Sequence, residues 1–526
     1  MEIQAGSGHS TGRALAAASY GIYLVLLASY FCAPLYHPEY FFHLTIGQWI
    51  WDNGRLPTVD LWSLAGSGEA WRDPSWLFDV LVAGLDRLGG AVAVLGFKFV
   101  LFLLFLFVIS ELFRRKCQSK LVAGLLVSLV GAGVLSSGRF TGELIGWLVF
   151  LLLHERAGRV ANGGLTGTVI VQTVCLVVLG AAVHPAVYAG IVSAGAFVAL
   201  GSRVPGRTKF YWCLTLVGSC LISPYGGMQL VSVGGAELVE YLVRITLPVD
   251  PATPFRFSFA LLLIEAAVIG ILVFQEQRRP PQHLLLLWCI WGVIGWSAAS
   301  YLSYAVLLGG LVLASLWAEV PQGTARLSEA INSVRRWLVA VDLRGPAWVA
   351  LCLAIVNCWQ LFYFPNMALR HLQILEATAK KFELAEKRLF NQPYHGGLLL
   401  YALSRAQPVG TGAPARVGFD ERYFQLSPGW AADYEIVEKT GTGFQELFEK
   451  MKPEAVVCGQ AGVVCSLVRE RPAEWEPVSA FDGEDDTAPK DTTWRVYIRR
   501  RSAGGVDGAA ASGADVGTAL GASNNG

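Results

Sequence analysis

At 526 residues the chain is long enough for roughly three or four soluble domains, yet 54% of its residues are hydrophobic and only 15% are charged. With a mean hydropathy of +0.47, that balance excludes an ordinary soluble protein and points to a polytopic membrane protein. A formal net charge of +1 gives no general attraction for nucleic acid or anionic lipid, so nucleic acid is not expected as a partner and substrate preference must rest on local groups.

Taken from the N-terminus, Arg13 precedes an apolar run from Leu15 to Phe31 that looks like a signal peptide, but no small-x-small cleavage site closes it. It reads as a retained first transmembrane helix. A bilayer needs roughly 20 apolar residues per helix, and that template gives about eleven spans. Their approximate positions are 14 to 34, 91 to 113, 120 to 136, 142 to 154, 167 to 183, 186 to 201, 209 to 222, 258 to 275, 283 to 298, 301 to 318 and 346 to 364.

Lysine and arginine in short loops collect on the cytoplasmic side. Alternate loops carry Arg114, Arg115, Lys116 and Lys120; Arg156 and Arg159; Arg203, Arg207 and Lys209; Arg278 and Arg279; and Arg326, Arg335, Arg336 and Arg344. The loops between them are nearly free of such clusters. This parity puts the N-terminus inside and the C-terminal region outside. The outer loops are then the long segment from Pro34 to Gly90, the turn Ser136 to Arg139, the turn Val183-His184-Pro185, the loop beginning Ser223-Pro224-Tyr225-Gly226 and a turn near Ser300. In the first of them Trp49, Trp51, Trp62, Trp71 and Trp76 recur among charged residues, as expected for helices lying at the membrane interface.

After residue 365 the composition becomes that of a soluble domain. Helical periodicity over Leu369 to Leu389, a helix or strand over Gly396 to Leu403, and strands at Arg416 to Phe419, Ala455 to Cys458 and Trp494 to Ile498 predict a small α/β domain over 366–500. Residues 501–526 are rich in Gly, Ala and Ser and are expected to be disordered. Eight of the ten cysteines lie in or beside apolar runs, and no Cys/His spacing suggests zinc. Cys458 and Cys465 lie in the polar C-terminal region and can pair if it faces an oxidising compartment.

The chemistry-bearing residues gather in the outer loops. Glu39 lies just beyond the first span, with His43 one helical turn later; Glu39 can act as a general base toward a hydroxyl, or with His43 can ligate a divalent metal, unless both are merely solvated. Asp60 starts a helix as an N-cap or sits in a turn, and Asp73 with Pro74 looks like another helix start. Arg139 and His184 stand at outer turns between apolar runs, where a cation or imidazole can hold a phosphate; for Arg139, snorkelling to the interface is the alternative. Glu265 is the clear mid-span acid, whereas Glu111 and Glu143 lie near span ends, which ranks a secondary transporter last.

The strings His37-Pro38-Glu39-Tyr40-Phe41-Phe42-His43, Gly47-Gln48-Trp49-Ile50, Gly54-Arg55-Leu56-Pro57, Asp60-Leu61-Trp62-Ser63 and Trp71-Arg72-Asp73-Pro74-Ser75-Trp76-Leu77 occur in that order. With Arg139, Ala182 to Pro185, Ser223 to Gly226, Gly396-Gly397-Leu398 and Phe419 to Tyr423, they resemble bacterial multispan proteins of the GT-C superfamily of integral-membrane glycosyltransferases, and the likeness runs to about Arg500. The resemblance implies an α-helical polytopic membrane protein of the bacterial inner membrane, its C-terminal domain extracytoplasmic. It implies a polyprenyl-phosphate-sugar donor, an acceptor that is a glycan, lipid or protein, and in some members a divalent metal. Glu39 and Asp60 become the expected catalytic residues, and His37, His43, Arg139, His184 and Tyr225 the expected substrate contacts. His37 and Glu39 stand where the group has two aspartates flanking the proline. A non-catalytic component of envelope polysaccharide assembly is the alternative reading, and Asp420 with Arg422 is expected to form a structural ion pair in preference to contacting the acceptor.

Overall fold

The computed structural model describes residues 20–32, 38–64, 68, 70–71, 73–117, 120–135, 142–185, 187–222, 256–274, 280–297, 302–318, 372–373, 375–391, 396–407, 415–418, 433–434, 436–438, 440–459, 462–478 and 494–500. Within them the chain is mostly helical, and a small sheet lies in the C-terminal region.

Each expected span up to the one at 301 to 318 falls on a helix, and the last, at 346 to 364, lies outside the described residues. The helices are α1 (Tyr20–Phe31), α3 (Trp76–Cys117), α4 (Lys120–Leu135), α5 (Glu143–Gly163), α6 (Gly167–Val183), α7 (Val187–Leu200), α8 (Gly206–Cys220), α9 (Arg256–Phe274), α10 (Gln282–Ser297) and α11 (Leu302–Ala318), with α2 (Pro38–Asn53) in the first outer segment. By length and composition one of them, α3, is long and apolar enough to cross a membrane, and seven more are apolar over 10–17 residues.

Two local features shape these helices. In α3, Gly90 has φ 61°, a left-handed value that glycine adopts without a Cβ penalty, and the helix kinks there. The kink divides Trp76 to Leu88 from the apolar run starting at Ala91, where the composition also begins a span. In α5 the helix continues to Gly163, beyond the expected span end at 154, and Glu155 pairs there with Arg159 one turn on, at 2.6 Å.

The helical body has two apolar clusters. In the first, α11 is buried on nearly all sides, with Ala305, Val306, Leu307, Leu308 and Val312 fully enclosed among α3, α4, α9 and α10. Small residues allow the close approach: a Cβ at Gly310 would meet the Phe113 ring at 2.8 Å and Val130 at 2.7 Å. The second cluster joins α5, α6, α7 and α8 around Trp212, whose Nε1 donates to the Ala194 carbonyl at 3.1 Å. Ser193 links the two, accepting from Trp291 Nε1 at 3.2 Å and pairing with His154 Nε2 at 2.8 Å.

The C-terminal segment forms a four-stranded sheet in the order β1 (Leu389–Asn391), β2 (Ala455–Gly459), β4 (Trp494–Arg499), β3 (Trp475–Pro477), with β1 parallel to β2 and the other pairs antiparallel. Alternation along β2 sends Val456 and Cys458 to one face, against α13 (Phe444–Met451) and α14 (Val463–Arg469), and Ala455 and Val457 to the other, toward α12 (Gly396–Ala406). Trp494 to Ile498 is a strand as expected and lies between β2 and β3. The helix expected to reach Leu389 stops after Lys381: Glu383 takes a left-handed φ of 50°, and Leu389–Asn391 pairs with β2 instead. Gly396 to Leu403 is helical. Val417 makes an isolated parallel bridge to Ser63 in place of a strand, and Phe419, Asp420, Arg422 and the tail lie outside the described residues.

Cys458 and Cys465 form a disulfide between β2 and α14, both buried. The chain isolated from cells should therefore yield these two cysteines linked in one unreduced peptide pair, and replacing both with alanine should cost about 2 kcal/mol of stability in that segment. Free thiols at both positions in freshly isolated protein would contradict the pairing.

Candidate functional site

The first outer segment folds into a compact unit because α2 runs against the start of α3 with almost no clearance. A Cβ at Gly47 would stand 2.0 Å from the Asp79 carbonyl oxygen, so only glycine permits this crossing. The approach brings His43 onto Asp79: the ring Nδ1 lies 2.6 Å from Asp79 Oδ1, and the imidazole meets the Phe78 ring edge-on at 5.0 Å. Both groups are buried. Asp79 is not among the residues that sequence reasoning singled out, and it is the partner that holds His43.

Asp73 completes the cluster. Its Oδ1 accepts from the Ser75 backbone N–H at 2.9 Å, an Asx turn that leads into the helix start expected there. Burial pushes its carboxyl well above the ordinary carboxylate range, and the Asp79 carboxylate beside it adds to the shift. Two facing carboxylates repel; a proton retained on Asp73 lets it donate to Asp79 and removes the conflict. The folded protein then holds that proton at pH values where the unfolded chain has released it, so stability falls as pH rises from the ordinary carboxylate range toward the raised value. Asp73→Asn should flatten this dependence above the ordinary carboxylate range in thermal unfolding. Equal slopes for the two proteins would contradict a retained proton.

Between α2 and α3 the chain makes a tight aromatic loop. Asp60 is buried, and its Oδ1 accepts from the backbone N–H of Trp62 at 3.1 Å and of Ser63 at 3.4 Å, while Oδ2 accepts from the Ser63 hydroxyl. Of the two expectations for Asp60, N-cap or turn, the turn is what forms. It sets Trp62 edge-on between Trp49 and Trp71, with ring centroids 5.8 and 5.5 Å away. Trp62 and Trp71 are thus core residues of the loop, whereas Trp51 remains half-exposed, donating to the Val80 carbonyl at 2.9 Å with the Arg87 guanidinium 5.7 Å over its ring.

The C-terminal segment covers this unit. Helix α12 packs on α2, with Tyr401 5.3 Å from the Phe41 ring. Leu64 N–H donates to the Val417 carbonyl at 2.7 Å and Val417 N–H to the Trp62 carbonyl at 2.9 Å. Arg405 binds Glu376 at 2.7 Å and lies over the Tyr401 ring. Partial burial pushes the Asp86 carboxyl up, with Arg405 and Gln48 pulling the other way.

The remaining candidates are distributed as follows. Glu39 stands in the first turn of α2, four residues before His43, and its side chain, like His37, Arg139 and Tyr225, lies outside what the structure describes. His184 ends α6 as its C-cap residue and packs against Gly142 at the start of α5, a different helix pair from α2 and α3. His43 and Asp60 are brought into one unit in which the Trp49 and Trp62 rings meet edge-on. Among the described residues no three His, Cys, Asp or Glu side chains form a metal-binding group, and His43 Nδ1 is engaged by Asp79; the Glu39 side chain, the other expected metal ligand, lies outside the described residues. Comparison with known protein families and with curated proteins finds no match to the chain.

Proposed function

We propose that the chain is a bacterial inner-membrane glycosyltransferase of the GT-C type, with about eleven spans, moving a sugar from a polyprenyl-phosphate donor to a glycan, lipid or protein acceptor on the non-cytoplasmic face. The observation that carries this reading is the buried His43–Asp79–Asp73 cluster, held one helical turn beyond Glu39 at the edge of an apolar helical body and covered by the C-terminal segment.

Three further features support it. Apolar side chains stand exposed on the helical body, including Val92, Val100 and Phe107 of α3, Val171 of α6, Val192 of α7, Leu263 and Phe274 of α9 and Val293 of α10, which suits contact with lipid. The basic helix ends meet at one end of the body, where Arg115 of α3 approaches Glu155 of α5 at 3.8 Å and Lys116 reaches the Ser315 hydroxyl of α11 at 3.2 Å, as loop parity requires. The Cys458–Cys465 pair suits a C-terminal segment on the oxidising side.

In this reading the acceptor hydroxyl attacks the anomeric carbon of the donor, its proton passes to the Glu39 carboxylate, and the bond from sugar to phosphate breaks with the electron pair leaving on the polyprenyl phosphate. Asp79 fixes the His43 ring, and the retained proton on Asp73 keeps Asp79 available as its acceptor. Arg139 and His184 serve the leaving phosphate, and a polyprenyl tail remains in lipid throughout. The full chain in proteoliposomes supplied with a polyprenyl-phosphate-linked sugar and membrane-derived acceptors should release polyprenyl phosphate in step with sugar transfer. Failure to turn over any such donor, with the protein folded, would sink the reading.

A further inference from the structure

A groove of about 420 Å³ runs along the outside of the α5–α8 cluster, lined by Arg207, Thr208, Tyr211, Leu214 and Thr215 of α8 and by Leu165 and Ile170 where α6 begins. The α8 residues recur at helical spacing and form one stripe. Its charge sits at the first turn and its apolar end lies about 10 Å, or two turns, further along. Beyond Leu214 the surface continues apolar and exposed through Val217, while Phe210 and Tyr211 flank the charged end.

The mouth of the groove is positive for reasons that add together. Both α6 and α8 begin there, so two helix dipoles present their positive ends side by side, and Pro205 offers α8 no side-chain cap. The Arg207 guanidinium is exposed and forms no ion pair among the described residues, unlike Arg159 at the same end of the body, which is held by Glu155 at 2.6 Å. Lys209 is drawn aside to the Ala199 carbonyl at 2.7 Å. Charge at one end and an outward-opening apolar wall along the rest match the layout of a membrane lipid and fit neither a free anion nor a polar peptide.

We infer that this groove binds an anionic glycerophospholipid of the leaflet on the basic-loop side, with the headgroup phosphate on Arg207 and the Thr208 hydroxyl and an acyl chain against Tyr211, Leu214 and Ile170. The inference rests on the membrane reading above. It gives a chain of near-zero net charge one local site for lipid selection.

The test uses the full chain in detergent with dioleoylphosphatidylglycerol and dioleoylphosphatidylcholine added in equal amounts, with retained lipid counted by native mass spectrometry. The wild type should retain phosphatidylglycerol preferentially. Arg207→Gln should lower that retention about fivefold, Leu214→Trp should lower it by filling the groove with the charge intact, and Arg159→Gln should leave it unchanged. Undiminished retention in Arg207→Gln or Leu214→Trp, or an equal loss in Arg159→Gln, would overturn the site. A chain monodisperse in buffer without detergent would overturn the membrane reading itself, a result distinct from a detergent-requiring chain that shows no lipid preference.

Discussion

Gly47→Ala should lower stability by about 3 kcal/mol, at the upper end of ordinary overpacking costs. The added Cβ would lie 2.0 Å from the Asp79 carbonyl oxygen, 2.5 Å from its carbon and 2.8 Å from the Ala83 Cβ. Those first two atoms are backbone of α3 and cannot rotate away, so the helices must separate. Separation draws Asp79 from His43, which couples a packing fault to the site. Gly84→Ala, on the same helix pair, is the control: its Cβ would meet only the Trp51 ring, at 3.4 Å, and the change should stay within about 0.5 kcal/mol. Thermal unfolding of both variants in detergent decides the matter; a Gly47→Ala protein as stable as Gly84→Ala would contradict the described crossing.

Asp79→Asn should lower sugar transfer about a hundredfold while changing stability by no more than about 1 kcal/mol. The carboxylate accepts from the His43 Nδ1–H across 2.6 Å and fixes the ring; an amide there can present its NH2 group instead and favour the other tautomer. The amide oxygen of the same substitution can still accept from the protonated Asp73 carboxyl, so the loss of stability stays small. Activity and stability are thus expected to separate. Comparable losses in both would show that Asp79 is only a structural partner of His43.

Much of this fold is legible in the sequence because long apolar runs leave few alternatives to a helix. The break at Gly89-Gly90 and the start of α3 after Asp73 follow from glycine and turn chemistry that can be read locally. Short strands are harder. Leu389–Asn391 and Trp475–Pro477 are three residues each, too brief for alternation to register, and they exist because β2 and β4 provide partners far along the chain.

The site is less legible. His43 is conspicuous as an imidazole beside a span, but Asp79 sits in the run Leu77-Phe78-Asp79-Val80, and its partner is 36 residues earlier. The only local clue is a lone acid at the head of an amphipathic helix, which has a bland reading as a helix-dipole partner. Asp60 illustrates the reverse: sequence leaves a turn and a cap equally open, and both its oxygens are taken by the turn at residues 60 to 63. The tryptophans look like an interfacial belt by spacing, yet Trp62 and Trp71 fill the loop's own core because the turn at Asp60 folds them inward.

The most direct test of the proposed function compares wild type with Glu39→Gln in proteoliposomes, following sugar transfer from a polyprenyl-phosphate donor together with unfolding temperature. A catalytic Glu39 predicts at least about a hundredfold loss of transfer with the unfolding temperature unchanged. Full transfer by Glu39→Gln would contradict it.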